Sequence, residues 1–201
     1  MDLVIAGAIG LALGVVTGIP LSVANVAIVD ASIAGRRRFA FGMSIGVATA
    51  DTIHATLAFI GVGRLVTARP GLVKGMAIAA AILIVTYAIV AWRARPEHRP
   101  PDDNSRAIHG YAIGMTLTLP NPLALAAWVA VATSILPDAS ISEAIAVAAG
   151  VGIGSSVWFV ALTRWVAGIR PDHPALRIVP RAALIVIVGI AGIGLWRALS
   201  T

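Results

Sequence analysis

Cysteine is absent from the 201 residues, which excludes both a disulfide framework and a thiolate metal site. Charge is scarce too. Asp, Glu, Lys and Arg make up 12% of the chain, against about a quarter in an ordinary soluble domain. No H-E-x-x-H or P-loop signature occurs, which leaves no recognised frame for metalloprotease or nucleotide-hydrolysing chemistry. Few residues could ligate a metal beyond Asp51, His54 and asparagine oxygens, so no metal site and no cofactor are expected. The first apolar run has no lysine or arginine before it and is too long for a signal-peptide core, so it is expected to remain as a membrane helix.

Apolar sequence fills the space left by these absences. Hydrophobic residues are 59% of the chain and the mean hydropathy is +0.93, values of an integral membrane protein. A helix needs roughly 20 apolar residues to cross the hydrocarbon, and six segments supply them: about 3–29, 40–63, 71–92, 107–135, 143–168 and 178–198. The expected fold is therefore all-α, one transmembrane domain over 1–201 with six spans. The conspicuous linker is the polar, proline-rich stretch 95–106, which separates three spans (about 1–94) from three (about 107–201).

The net charge of +6 comes from cations lying between the spans, which argues for membrane orientation and against a nucleic-acid surface. Linkers 1–2, 3–4 and 5–6 with their adjacent helix ends hold eleven of the fifteen basic residues, including Arg36, Arg37 and Arg38. The opposite side holds Arg64, Arg69, Lys74 and Arg197. By the positive-inside rule both termini lie outside. Asp30, six residues before Arg36, is expected to form an ion pair with that arginine run.

Two spans carry their own breaks. In T-L-T-L-P-N-P-L-A-L-A-A-W (Thr116 to Trp128), Pro120 and Pro122 lack an N–H and clash with the carbonyl four residues back. In hydrocarbon the freed carbonyls need protein or water partners, and Asn121 brings an amide that donates and accepts. The first span has a matching stretch, T-G-I-P-L-S-V-A-N, with Pro20, Ser22 and Asn25. At an offset of 100, Pro20 falls on Pro120 and Ala24 on Ala124; at 108, Gly42, Ile45 and Gly46 fall on Gly150, Ile153 and Gly154. Three spans per half put the halves in opposite orientations, the inverted-repeat plan of many secondary transporters. Glycines four apart (Gly10 and Gly14, Gly42 and Gly46, Gly110 and Gly114, Gly150 and Gly154) predict close helix crossings.

Asp51 lies about eleven residues into the second span, near mid-bilayer, where a carboxylate is costly and usually faces a functional cavity. His54 is one turn further along the same face, and Thr49 and Thr52 add hydroxyls. An acid and an imidazole here suit proton coupling or capture of a cationic substrate group. Trp128 is placed to line a path or to fill the bundle. Trp92, Trp165 and Trp196, near span ends, fit interfacial anchoring.

Read in order, G-I-P-L-S, the G-R-R-R-F-A-F-G run from Gly35, G-V-A-T-A-D-T-I-H-A from Gly46, N-P-L-A at Asn121 and W-F-V-A-L at Trp158 resemble the lysine exporter (LysE) and threonine/homoserine efflux superfamily along essentially the whole chain. The family's first-span motif is typically P-G-P where this chain has T-G-I-P. Its fourth-span motif is often Asn-Pro-Lys where this chain has Leu123 in place of the lysine. Asp51 falls where the family commonly has an acid. The resemblance implies a non-enzymatic homodimer in the bacterial inner membrane. It would export amino acids or related small metabolites, driven by protons or membrane potential. Its expected site comprises Pro20, Ser22, Asn25, Asp51, His54, Pro120, Asn121, Pro122 and Trp128, with Asp51 and His54 coupling protons. Two rivals are export of a metal cation or inorganic ion and a membrane scaffold or lipid-handling role.

Overall fold

A computed structural model describes residues 1–19, 22–93 and 103–168, with seven further positions between 182 and 196. Among the described residues the contiguous elements are eight helices: α1 (Leu3–Gly18), α2 (Val23–Ile33), α3 (Arg37–Phe59), α4 (Val62–Thr67), α5 (Pro70–Arg93), α6 (Asp103–Thr118), α7 (Pro122–Ile135) and α8 (Ile141–Ala167). No strand occurs among them.

The first apolar run is two helices, because α1 and α2 meet at a 70° bend. The fourth is also two, with α6 and α7 bent by 72°. α5 from Pro70 to Val90 and α8 from Ile141 to Val166 are each long and apolar enough to cross a bilayer, with mean hydropathies of 2.2 and 2.0. Each bent pair meets the same standard when joined, which makes four candidate spans among the described residues. α3 has the length, 23 residues or ~34 Å, but Asp51, His54 and four hydroxyl side chains dilute its apolar content. The sixth expected segment, 178–198, falls largely outside the described residues, as does 95–102 of the linker. Within the rest of that stretch α6 begins at Asp103, after Pro101, the last proline of the linker. The stretch after Phe59 also differs, since Gly61 turns with φ +85° and the short α4 follows.

Local chemistry explains the remaining ends. α2 stops at Gly35, whose φ of +73° is open to glycine at little cost. The N–H of Gly35 bonds the Ser32 carbonyl and that of Arg36 the Ala31 carbonyl, a Schellman closure. The turn places Arg36 Nη2 3.1 Å from Asp30 Oδ2, the expected ion pair, with its guanidinium 5.0 Å from the centre of the Phe39 ring. α8 opens with a capping box between Ser140 and Glu143.

The glycine pairs set the packing. α1 lies along α8 and α3 along α6. A Cβ at Gly10 would sit 2.0 Å from the Val147 carbonyl oxygen, and one at Gly150 2.1 Å from that of Gly7. The second crossing repeats this: an added Cβ would sit 2.0 Å from the Ala107 carbonyl oxygen at Gly42 and 2.0 Å from that of Phe39 at Gly110. Backbones this close exclude any side chain. α3 and α8 also pack together, tied by Ser44 Oγ, which lies 3.0 Å from Thr163 Oγ1 and 3.2 Å from the Phe159 carbonyl. Exposed Val, Ile and Leu are spread over the outer faces of α1, α5 and α8, as a lipid-facing surface requires.

Gly42→Ala is expected to destabilise the protein by about 1–3 kcal/mol, because the two backbones must part. Gly75→Ala, with nothing within 4 Å of the added carbon among the described residues, is expected to leave stability unchanged or raise it by up to about 1 kcal/mol. Thermal unfolding in detergent micelles measures both.

Candidate functional site

Each break exposes backbone groups that a continuous helix would pair. Pro20, itself outside the described residues, leaves the carbonyl of Val16 without its partner four residues on. That carbonyl accepts instead from the Ile19 N–H at 3.3 Å, a tighter last turn. The Gly18 carbonyl accepts from Asn25 Nδ2 at 2.8 Å, and Asn25 Oδ1 lies 3.4 Å from the Trp158 indole N–H on α8. Ser22 caps α2 by accepting from the Asn25 N–H at 3.2 Å.

At the second break Pro122 occupies the first position of α7, where a missing N–H costs nothing. The Thr118 carbonyl, which that proline leaves free, takes the Asn121 N–H at 3.1 Å. Asn121 Oδ1 caps α7 by accepting from the Leu123 N–H at 3.1 Å. That capping takes away the usual donor of the Leu119 carbonyl, and His54 Nε2 on α3 lies 2.9 Å from it. Pro120 sits half-buried in the turn between the two helices.

A cavity of about 170 Å³ lies between the two breaks. Its polar lining comes from Thr17 and Ser22 at the first break, Thr118 and Asn121 at the second, and Asp51 on α3. Val47, Leu117, Ala124, Val131 and Phe159 supply apolar wall, with Trp128, which is 5% exposed. Asp51 Oδ2 accepts from Ser155 Oγ on α8 at 3.0 Å, and the Trp128 indole is its second polar neighbour. Ser155 Oγ is also 3.3 Å from the Gly14 carbonyl, so its single hydrogen serves one acceptor at a time. Asn121 commits its oxygen to the cap, while its Nδ2 has no acceptor among the described residues. The site can therefore offer one carboxylate, one amide donor and three hydroxyls to a ligand held against an aromatic wall.

The expected site residues divide on inspection. Ser22, Asp51, Asn121 and Trp128 line the cavity, Pro122 shapes the start of α7, and Asn25 and His54 lie behind it, each bonded to a carbonyl of a break. No hydrogen bond joins Asp51 to His54 among the described residues. Thr49 and Thr52 turn their hydroxyls back onto the carbonyls of Ile45 and Ala48. Ser155, Thr17 and Thr118 were not among the expected residues. Hydroxyls inside apolar runs beside a break or a glycine pair are the signal that could have marked them.

No curated protein and no solved structure matches the chain. The LysE type translocator model matches residues 15–195, a stretch that holds both breaks, Asp51 and every residue lining the cavity. A membrane-embedded helical chain with paired helix breaks around a polar cavity, matched by that model over nine-tenths of its length, belongs to the LysE type translocator family.

Proposed function

We propose that this protein is a secondary exporter of an amino acid or a related small amphiphilic metabolite, with Asp51 taking the proton or the amine of the cargo. The observation that carries the reading is the cavity itself, enclosed by the ends of two broken helices and one acid. Half-helix ends facing a shared cavity are a common way for transporters to present polar groups inside a membrane. The N-terminal turns of α2 and α7 both reach the cavity, through Ser22, Val23 and Ala24 and through Asn121 and Ala124. Helix N-termini carry partial positive charge, which suits a carboxylate, while Asp51 suits an ammonium group. At about 170 Å³ the cavity lies below the roughly 300–1,000 Å³ of drug-sized sites, which favours a small cargo.

In this reading the chain has six spans in two inverted triplets, both termini outside the bacterial inner membrane. The crossed packing supports it: the first helix of each triplet lies along the long second-span helix of the other, α1 on α8 and α6 on α3. Among the described residues no three His, Cys, Asp or Glu side chains gather, and the cavity has a single carboxylate, so the donor set favours organic cargo over a metal cation.

Asp51→Asn is expected to cut proton-driven export in proteoliposomes to less than about a tenth, the loss of a charge-assisted contact, while the protein still inserts and unfolds normally. Unchanged transport would refute the role. Asn121→Ser keeps a capping oxygen but removes the free amide. It is expected to raise the apparent KM roughly five- to tenfold, with thermal stability close to that of the parent. An unchanged KM would take Asn121 out of substrate binding.

A further inference from the structure

His54 is 1% exposed, lies off the cavity and makes one hydrogen bond among the described residues, from Nε2 to the Leu119 carbonyl at 2.9 Å. A carbonyl only accepts, so the ring hydrogen is on Nε2. Nδ1 is buried and has no partner among the described residues. A doubly protonated ring would bury an N–H with nothing to accept it, which fixes the ring as the neutral Nε2–H tautomer.

The identity of the acceptor gives the bond its meaning. In an unbroken helix the Leu119 carbonyl would pair with the Leu123 N–H. Here that N–H is held by Asn121 Oδ1 at 3.1 Å and that carbonyl by His54. Both halves of one missing backbone bond are thus occupied by side chains, one from within the turn and one from α3. Asp51 stands one turn before His54 on the same helix and faces the cavity.

We infer that His54 is a positioning residue, a latch that holds the α6–α7 break open and fixes the start of α7, with Asn121, against the helix that carries Asp51. It does not carry protons. A proton carrier needs a polar neighbour on each side, and among the described residues this ring has one acceptor, no link to Asp51 and no contact with the cavity. The inference uses the cavity as the transport path but stands on the bond itself, so its test includes a readout that needs no transport.

Full-length chains carrying His54→Gln and His54→Ala would be compared in proteoliposomes. Glutamine's amide reaches about as far as Nε2, donates and does not titrate. Export by the Gln variant is expected within about threefold of the parent with the same pH profile. The Ala variant, which strands the carbonyl, is expected to lose about tenfold or more with the shape of that profile retained. In ¹⁵N-histidine-labelled protein in nanodiscs, one of the four histidines, the one missing from the Gln variant, is expected to show hydrogen on Nε2 alone, slow to exchange. A Gln variant as inactive as Ala, one that fails to fold, or one with a flattened pH profile overturns the inference. So does a His54 ring with hydrogen on Nδ1, and that result holds even if no cargo is found.

Discussion

A helix broken in hydrocarbon must find new partners for every backbone group that the break releases, since each one left bare costs several kcal/mol. The rest of this structure follows from that constraint. Val16 and Thr118 solve it locally, with i+3 bonds that tighten the last turn. Gly18 and Leu119 solve it with side chains, Asn25 from the following helix and His54 from α3. A break satisfied from a neighbouring helix requires that neighbour to be close, and closeness here comes from glycine. Backbone contact at the α3–α6 crossing brings His54 within reach of Leu119, and the α1–α8 crossing brings Trp158 within reach of Asn25.

The two halves of the chain therefore brace one another. The first break is touched by α8, from later in the chain, and the second by α3, from earlier in it. Ser155 on α8 bonds Asp51 on α3 and lies beside the Gly14 carbonyl on α1, so three helices meet at one hydroxyl. The cavity sits at the centre of this bracing. Any motion that shifts α1 and α8 against α3 and α6 changes the walls of the cavity and the supports of both breaks together. Coupling of access at one side to closure at the other is the behaviour that a transporter needs, and bistable packing of rigid elements is how such coupling arises.

Much of this was legible in the sequence because the signals are strong and local. Pro120, Asn121 and Pro122 inside an apolar run state a break outright, and the Asp30–Arg36 pair follows from spacing. The glycine repeats announced close crossings, but a period of four says nothing about which helix is the partner. That is decided by the whole bundle. His54 was read with Asp51 because they share a helical face, yet its partner is a carbonyl sixty-five residues on, a contact no local pattern encodes. Asn25 holds the Gly18 carbonyl, a contact that the local pattern likewise does not encode. Ser155 was missed because a serine in an apolar helix usually bonds its own backbone, as the threonines Thr49 and Thr52 do. The early start of α6 was hidden by the polar run before it, whose prolines end at Pro101 while the polarity runs on to Arg106.

Water in the cavity is the property on which the account stands, and the absence of native cysteine makes it directly measurable. Single cysteines at Ala124 and Ala127, which line the cavity, and at Ile82, on the outer face of α5, would be exposed in membranes to a charged methanethiosulfonate reagent. Such a reagent attacks thiolates, which form only where water reaches. Rapid labelling at Ala124 and Ala127 with none at Ile82 is the predicted result. Cavity positions as unreactive as Ile82 would mean a dry bundle and would contradict the account.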